Sequence, residues 1–141
     1  MTTPELLTSR LVLRPFDVDD TERLVGIAGQ RRIADATISV PHPFGEAEAR
    51  AWIAQATDPG AADRAFVVAR RDAPLRMIGY AGLRHVDLEH REGEISFWFD
   101  GVEEGNGYAT ESAGALVRYG FDRAGLNRLC ACHQAQRSRY K

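Results

Sequence analysis

Apolar positions recur along the chain with two different periods. Short runs rich in β-branched and aromatic residues occur at Arg10–Phe16 (RLVLRPF), Ala65–Arg70 (AFVVAR), Arg76–Asp87 (RMIGYAGLRHVD), Glu94–Phe99 (EISFWF) and Asn127–Cys132 (NRLCAC). They predict five strands. Asp72 and Pro74 punctuate a turn between the second and third runs, which predicts a hairpin there. Helical spacing appears three times. Leu24, Ile27 and Ala28 repeat within DVDDTERLVGIAG, whose aspartates suit a helix N-terminus. Pro41 and Pro43 make a rigid loop, after which Ala49, Trp52, Ile53 and Ala56 form a stripe. The clearest helix covers Ala109–Ala124. There Ala109, Ala113, Leu116, Val117, Phe121 and Ala124 line one face, and Gly125 is placed to end it. Strands that precede a strong helix, with one more strand behind it, predict an α+β fold. The expected sheet is mixed and mostly antiparallel, with helices packed on it.

Composition narrows the function classes. The chain has 141 residues, with 44% hydrophobic and 27% charged, and contains no repeat, low-complexity tract or linker. That predicts a single domain, 1–141, with a proper core. A net charge of −2 leaves no broad basic field for nucleic acid; the one basic cluster is the tail RSRYK. No apolar run approaches the ~20 residues that span a bilayer, and the N-terminal stretch lacks a secretory pattern. Cys130 and Cys132 stand too close for a disulfide framework, which fits a reducing cytoplasm.

The candidate chemistry begins at Glu103–Ser112, EEGNGYATES. It lies between a predicted strand and the clearest helix. Gly105 and Gly107 would let backbone N–H groups approach an anion, and the helix start adds orphan N–H groups and a dipole. Thr110 offers a hydroxyl in the first turn. Together these can hold a phosphate or pyrophosphate; an isolated G-x-G is also compatible with a plain tight turn. A Walker A loop is excluded, because Tyr108 and Ala109 follow Gly107 where Lys and Ser/Thr are needed. A dinucleotide fingerprint is excluded too, because Thr110 stands where a third small residue belongs.

Four stretches, taken in order, give the chain a family likeness. They are TSRLVLRPFDVDD, PHPFGEAEARAWI, MIGYAGLRHVD and GEISFWFDGVEEGNGYATESAGALVRYGFDRAGLNRL. With them the chain resembles the GNAT acetyltransferase superfamily, in particular its ribosomal-protein N-terminal acetyltransferase branch, over nearly all of residues 8–134. The resemblance implies acetyl-CoA as cosubstrate. The superfamily signature Gln/Arg-x-x-Gly-x-Gly/Ala maps onto Glu104–Ala109. Gly107 and Ala109 match it, and Glu104 departs from it. The amides of Gly105, Asn106, Gly107, Tyr108, Ala109 and Thr110 are then the expected pyrophosphate cradle. Phe97, Trp98 and Phe99 are expected beside the pantetheine arm, in a splayed strand pair. Glu94 is the expected general base, against the plain alternative of a solvated strand-end carboxylate. A backbone amide near Trp98 is the expected donor to the thioester carbonyl.

The expected reaction is direct transfer of the acetyl group to a primary amine, on a protein N-terminus or a small molecule. A non-enzymatic acyl-CoA-binding module and an aminoglycoside-type acetyltransferase stand as alternatives. His42 borders the acceptor site by resemblance, or is a solvated loop histidine. Trp52 is core or pocket wall, and His85 and His90 are expected to be exposed. No metal is expected: Cys130 and Cys132 share a strand face, His133 points the other way, and no second cluster exists. Measured against the family, the chain is expected to be truncated after the fifth strand. Ser138 and Tyr140 receive no role. The exposed edge of that last strand predicts self-association, with a homodimer as one form.

Overall fold

The computed structural model describes residues 3–30, 33, 44–132 and 137–140. In chain order the elements are β1 (Leu6–Leu7), β2 (Leu11–Pro15), a 3-10 turn (Val18–Asp20), α1 (Thr21–Ala28), α2 (Glu46–Ala56), β3 (Arg64–Arg70), β4 (Ala73–Asp87) and β5 (Glu92–Phe99). A second 3-10 turn (Gly101–Glu103), α3 (Tyr108–Asp122), β6 (Arg128–Cys132) and β7 (Arg137–Tyr140) complete them. The strands form one seven-stranded sheet in sequence order. Every neighbouring pair is antiparallel except β5–β6, which is parallel and spanned by α3. The α+β fold expected from the pattern is the one observed.

Both faces of the sheet are covered. On one, α3 packs Ala115, Leu116 and Tyr119 against Leu11, Leu13, Phe66, Leu83, Ile95 and Phe99. On the other, α1 and α2 bring Leu24, Ile27, Ala49 and Ile53 against Phe16, Val67, Met77, Tyr80 and Trp98. A sheet buried on both faces explains why Phe66, Val67, Val68 and Ala69 read as a continuous apolar run and not as an alternation. At the entry to α1, Arg14 donates to both carboxylate oxygens of Asp20 at 3.0 and 2.9 Å and to the carbonyl of Pro74 at 2.8 Å. Asp20 also accepts from the Asp17 amide, so the Arg14–Asp20 pair ties β2, the helix start and β4 together.

The structure corrects the sequence reading in four places. The hairpin turn is Arg71–Asp72, and Ala73 and Pro74 already belong to β4. Register shifts near Ala69 and Arg70 absorb the irregular start that the proline imposes. The buried face of α3 is Ser112, Ala113, Ala115, Leu116, Tyr119 and Gly120; Val117 and Phe121 are half-buried. Burial thus follows the shape of the sheet and not hydrophobicity alone. β1, too short for any pattern, pairs Leu6 with Leu13 and Leu7 with Val12. Finally, the sheet does not stop at the fifth predicted strand. β7 pairs antiparallel along β6, from Leu129–Tyr140 to Cys132–Arg137, and occupies the edge expected to be exposed. The sequence RSRY carries no apolar alternation, so this strand is specified by backbone pairing and leaves no hydropathy signal.

Candidate active site

The loop after β5 is built to present main chain. Asp100 opens it: its backbone N–H donates to Ile78 at 2.9 Å, and its carboxylate accepts from Val102, Gln30 and Arg23. Burial alone would raise that carboxyl, yet these donors hold it below its ordinary value. Gly105 and Gly107 follow with φ of +86° and +77°, a left-handed backbone that other residues adopt only with strain. Gly107 is the N-cap of α3 and has no side chain with which to cap it. The amide of Glu111 bonds back to the Gly107 carbonyl at 3.1 Å, while those of Tyr108, Ala109 and Thr110 open the helix. Gly105, Asn106, Gly107 and Thr110 are exposed, and Tyr108 and Ala109 are half-buried. All six expected cradle residues therefore lie on one short, solvent-facing turn. Glu104 is exposed beside them.

The N-terminal hairpin braces this turn. Glu111 accepts from the Thr8 hydroxyl, from the Arg10 amide at 2.9 Å and from Arg10 Nε at 2.8 Å. Burial would raise the Glu111 carboxyl, but these donors keep it below its ordinary value. The Arg10 guanidinium lies over the Tyr108 ring, 4.7 Å from its centroid. Thr8, Arg10 and Glu111 were not anticipated. Glu111 stands more than 100 positions from Thr8 and Arg10, and no local pattern joins the N-terminal hairpin to a helix turn.

β5 carries the other expected residues on two faces. Phe97 and Phe99 belong to the apolar cluster under α3, whereas Trp98 is buried on the α1/α2 side. Trp98 and Phe99 are 4% and 6% exposed, so beside a ligand they can offer main chain rather than rings. The parallel ladder to β6 ends at Ile95–Ala131, while the antiparallel ladder to β4 runs on to Phe99–Gly79. Among the described residues, β5 is thus paired with β6 as far as Ile95 and with β4 as far as Phe99. Glu94 is half-buried, two strand positions before Ser96 and four before Trp98, and its cross-strand partner is Arg84. These three residues share a face.

On that face Trp52 stacks edge-on to Tyr80 at 5.1 Å and lies 6.0 Å from Trp98. Tyr80 is fully buried. Burial pushes its pKa up to about 12, so it remains a neutral hydroxyl. A half-open cleft of about 330 Å³ runs beside it, lined by Trp52, Gln55, Asp63, Arg64, Tyr80 and Arg84. Trp52 is therefore both core and wall. Gly82 lets neighbouring groups close in on the strand: a Cβ there would stand 2.5 Å from the Arg64 carbonyl and 2.7 Å from the Tyr80 hydroxyl. His85 and His90 are exposed as expected, with His90 paired to Asp87 at 2.8 Å. His42 and His133 lie outside the described residues, as do the side chains of Cys132, Ser138 and Tyr140.

A model of the acetyltransferase (GNAT) domain matches residues 10–139. The chain belongs to this family. Over 127 residues the GNAT domain is 27% identical to an uncharacterized N-acetyltransferase, p20, of Bacillus licheniformis, covering 88% of the chain and 70% of that protein. Among solved structures it resembles RimL, a ribosomal L7/L12 alpha-N-protein acetyltransferase in complex with coenzyme A. The TM-score is 0.78 at 15% identity, over 91% of this chain and 73% of that one. It also resembles a spermidine N-acetyltransferase from Vibrio cholerae in complex with CoA and spermine. There the TM-score is 0.75 at 21% identity, over 88% of this chain and 71% of that one. At these identities the structures attest the fold. Among the described residues, no helix is long and apolar enough to cross a membrane.

Proposed function

We propose that this GNAT domain transfers an acetyl group from acetyl-CoA directly to a primary amine, on a protein N-terminus or a small molecule. The observation that carries the reading is the turn at Gly105–Thr110. Its two left-handed glycines, its uncapped helix start and its exposure suit a pyrophosphate held by main-chain N–H groups. The two relatives solved with CoA lend it support, one acting on a protein N-terminus and the other named for a polyamine.

On this reading the pantetheine arm lies beside the main chain of Phe97, Trp98 and Phe99, at the C-terminal end of β5. An amide near Trp98 polarises the thioester carbonyl. Glu94, cross-strand from the cleft residue Arg84, takes the proton from the incoming ammonium, through water where the spacing requires it. The amine then attacks the carbonyl carbon, and the thiolate of CoA leaves. Holding donor and amine in line supplies much of the rate.

Calorimetric titration with acetyl-CoA tests the donor site, with Gly107→Trp as the blocked control. Binding by the wild type and loss in a folded control are expected. Absence of binding by the folded wild-type chain would reject the reading. Release of free thiol with a panel of amines then identifies the acceptor class.

A further inference from the structure

We propose that Arg10 is a phosphate-binding residue of the donor site, bringing from the start of β2 the positive charge that position 104 lacks. The inference rests on the acetyl-CoA reading of the Gly105–Thr110 turn.

Its location is the first ground. A Cβ built on Gly107 would lie 3.4 Å from Arg10 Nη2, which puts a guanidinium nitrogen beside the N-cap of α3. The same group is stacked over Tyr108, the first residue of the helix. Its posture is the second. Glu111 takes Arg10 Nε at 2.8 Å and the Arg10 amide at 2.9 Å. This fixes the plane of the guanidinium, while its terminal nitrogens donate to no other described residue. Glu111 is turned inward with 15% of its side chain exposed, against 49% for Arg10. The outward face of the ion pair is therefore the cation, whose Nη1/Nη2 edge meets no acceptor among the described residues. Such a fork suits a phosphate.

Charge is the third ground. Between Asp100 and Ser112 there is no Lys or Arg, but there are Asp100, Glu103, Glu104 and Glu111. A turn of this composition opposes an anion at short range unless a cation arrives from elsewhere. Arg10 comes from the bend between β1 and β2. Arg71 donates at 3.0 Å to the Thr8 carbonyl and braces the hairpin that carries it. Glu111 is thus a positioning residue, and Arg10 is the one that touches the ligand.

The test is calorimetric titration of the full chain and its Arg10→Gln and Arg10→Lys variants with CoA and dephospho-CoA, at two salt concentrations. Acetylpantetheine, which has no phosphate, is titrated by NMR. Arg10→Gln is expected to weaken CoA and dephospho-CoA by the same factor of about tenfold, the size of one charge-assisted contact. Arg10→Lys should recover part of the loss, salt should narrow the difference, and acetylpantetheine should bind all three proteins alike. Equal CoA affinity in the wild type and Arg10→Gln overturns the proposal. So does a parallel loss of acetylpantetheine, which would make Arg10 structural. A penalty seen with CoA but not dephospho-CoA overturns it as well, by moving the contact to the 3′-phosphate. A wild-type chain that binds no CoA rejects the underlying donor site, and that result precedes any variant.

Discussion

Glu111 in the first turn of α3 closes an ion pair of 2.8 Å with Arg10 at the start of β2, across 101 positions of sequence. The carboxylate also receives the Arg10 amide and the Thr8 hydroxyl. One half-buried side chain therefore joins the N-terminal hairpin to the helix that follows the glycine turn.

That bond makes stability depend on pH. The folded Glu111 carboxyl lies below its ordinary value of 4.5. Its stabilisation is therefore present above that value and lost as pH falls through the lower folded value. Glu111→Gln should destabilise the protein by about 1–3 kcal/mol at neutral pH, through lost charge-assisted bonds. It should also flatten the acid limb of a plot of Tm against pH. An unchanged acid limb would show that other carboxylates govern it.

The glycine turn can be probed without filling space. Gly105 has no heavy atom within 4 Å of an added Cβ, yet its φ is +86°. Gly105→Ala should cost about 1–2 kcal/mol from the backbone alone. If the turn cradles pyrophosphate in this conformation, acetyl-CoA affinity should fall with it. Urea melts and titration of the same variant separate the two effects. Affinity that holds while stability drops would argue against the cradle.

Glu94→Gln tests the proposed base. Turnover should fall by about 10²-fold or more, while acetyl-CoA binding stays as in the wild type. The rate loss should shrink as pH rises and more of the amine arrives deprotonated. Equal rates at neutral pH would remove Glu94 from the chemistry and leave it a strand-end carboxylate.

Tyr80 should titrate late. Its pKa of about 12 exceeds the ordinary 10.0 because its ring is wholly buried. The sign follows directly: the neutral hydroxyl stabilises the fold below pH 10, and that contribution is lost as pH rises through 12. Ultraviolet titration should show one tyrosine ionising only as the protein unfolds in alkali. Tyr80→Phe should remove that late step and, because the buried ring is kept, cost no more than about 1 kcal/mol.

Much of this was legible in the chain, for reasons that differ by element. β3 and β5 are apolar runs bounded by polar turns, and burial on two faces makes such runs conspicuous. The turn at Gly105–Gly107 could be read because positive φ restricts residue choice so strongly. The face of α3 was read partly wrong, since Tyr119 is buried by an edge-on contact with Phe66 while Phe121 is only half-buried. β7 and the Arg10–Glu111 clamp were not legible. Each depends on a partner distant along the chain, a backbone edge in one case and a carboxylate in the other. Neither leaves a local period.

The uncapped start of α3 bears on how such a domain diversifies. A turn that offers peptide groups to its ligand makes few demands on side-chain identity, apart from the glycines that set its path and the Arg10–Glu111 pair that brings it a charge. On the proposed reading, donor choice is then stored in the course of the backbone and in one clamped arginine. Acceptor choice is stored in the side chains of the cleft beyond Trp52 and Tyr80. Substitutions in that cleft should shift which amine is used without retraining how the donor is held, so the two preferences can be altered separately, in the laboratory as in descent.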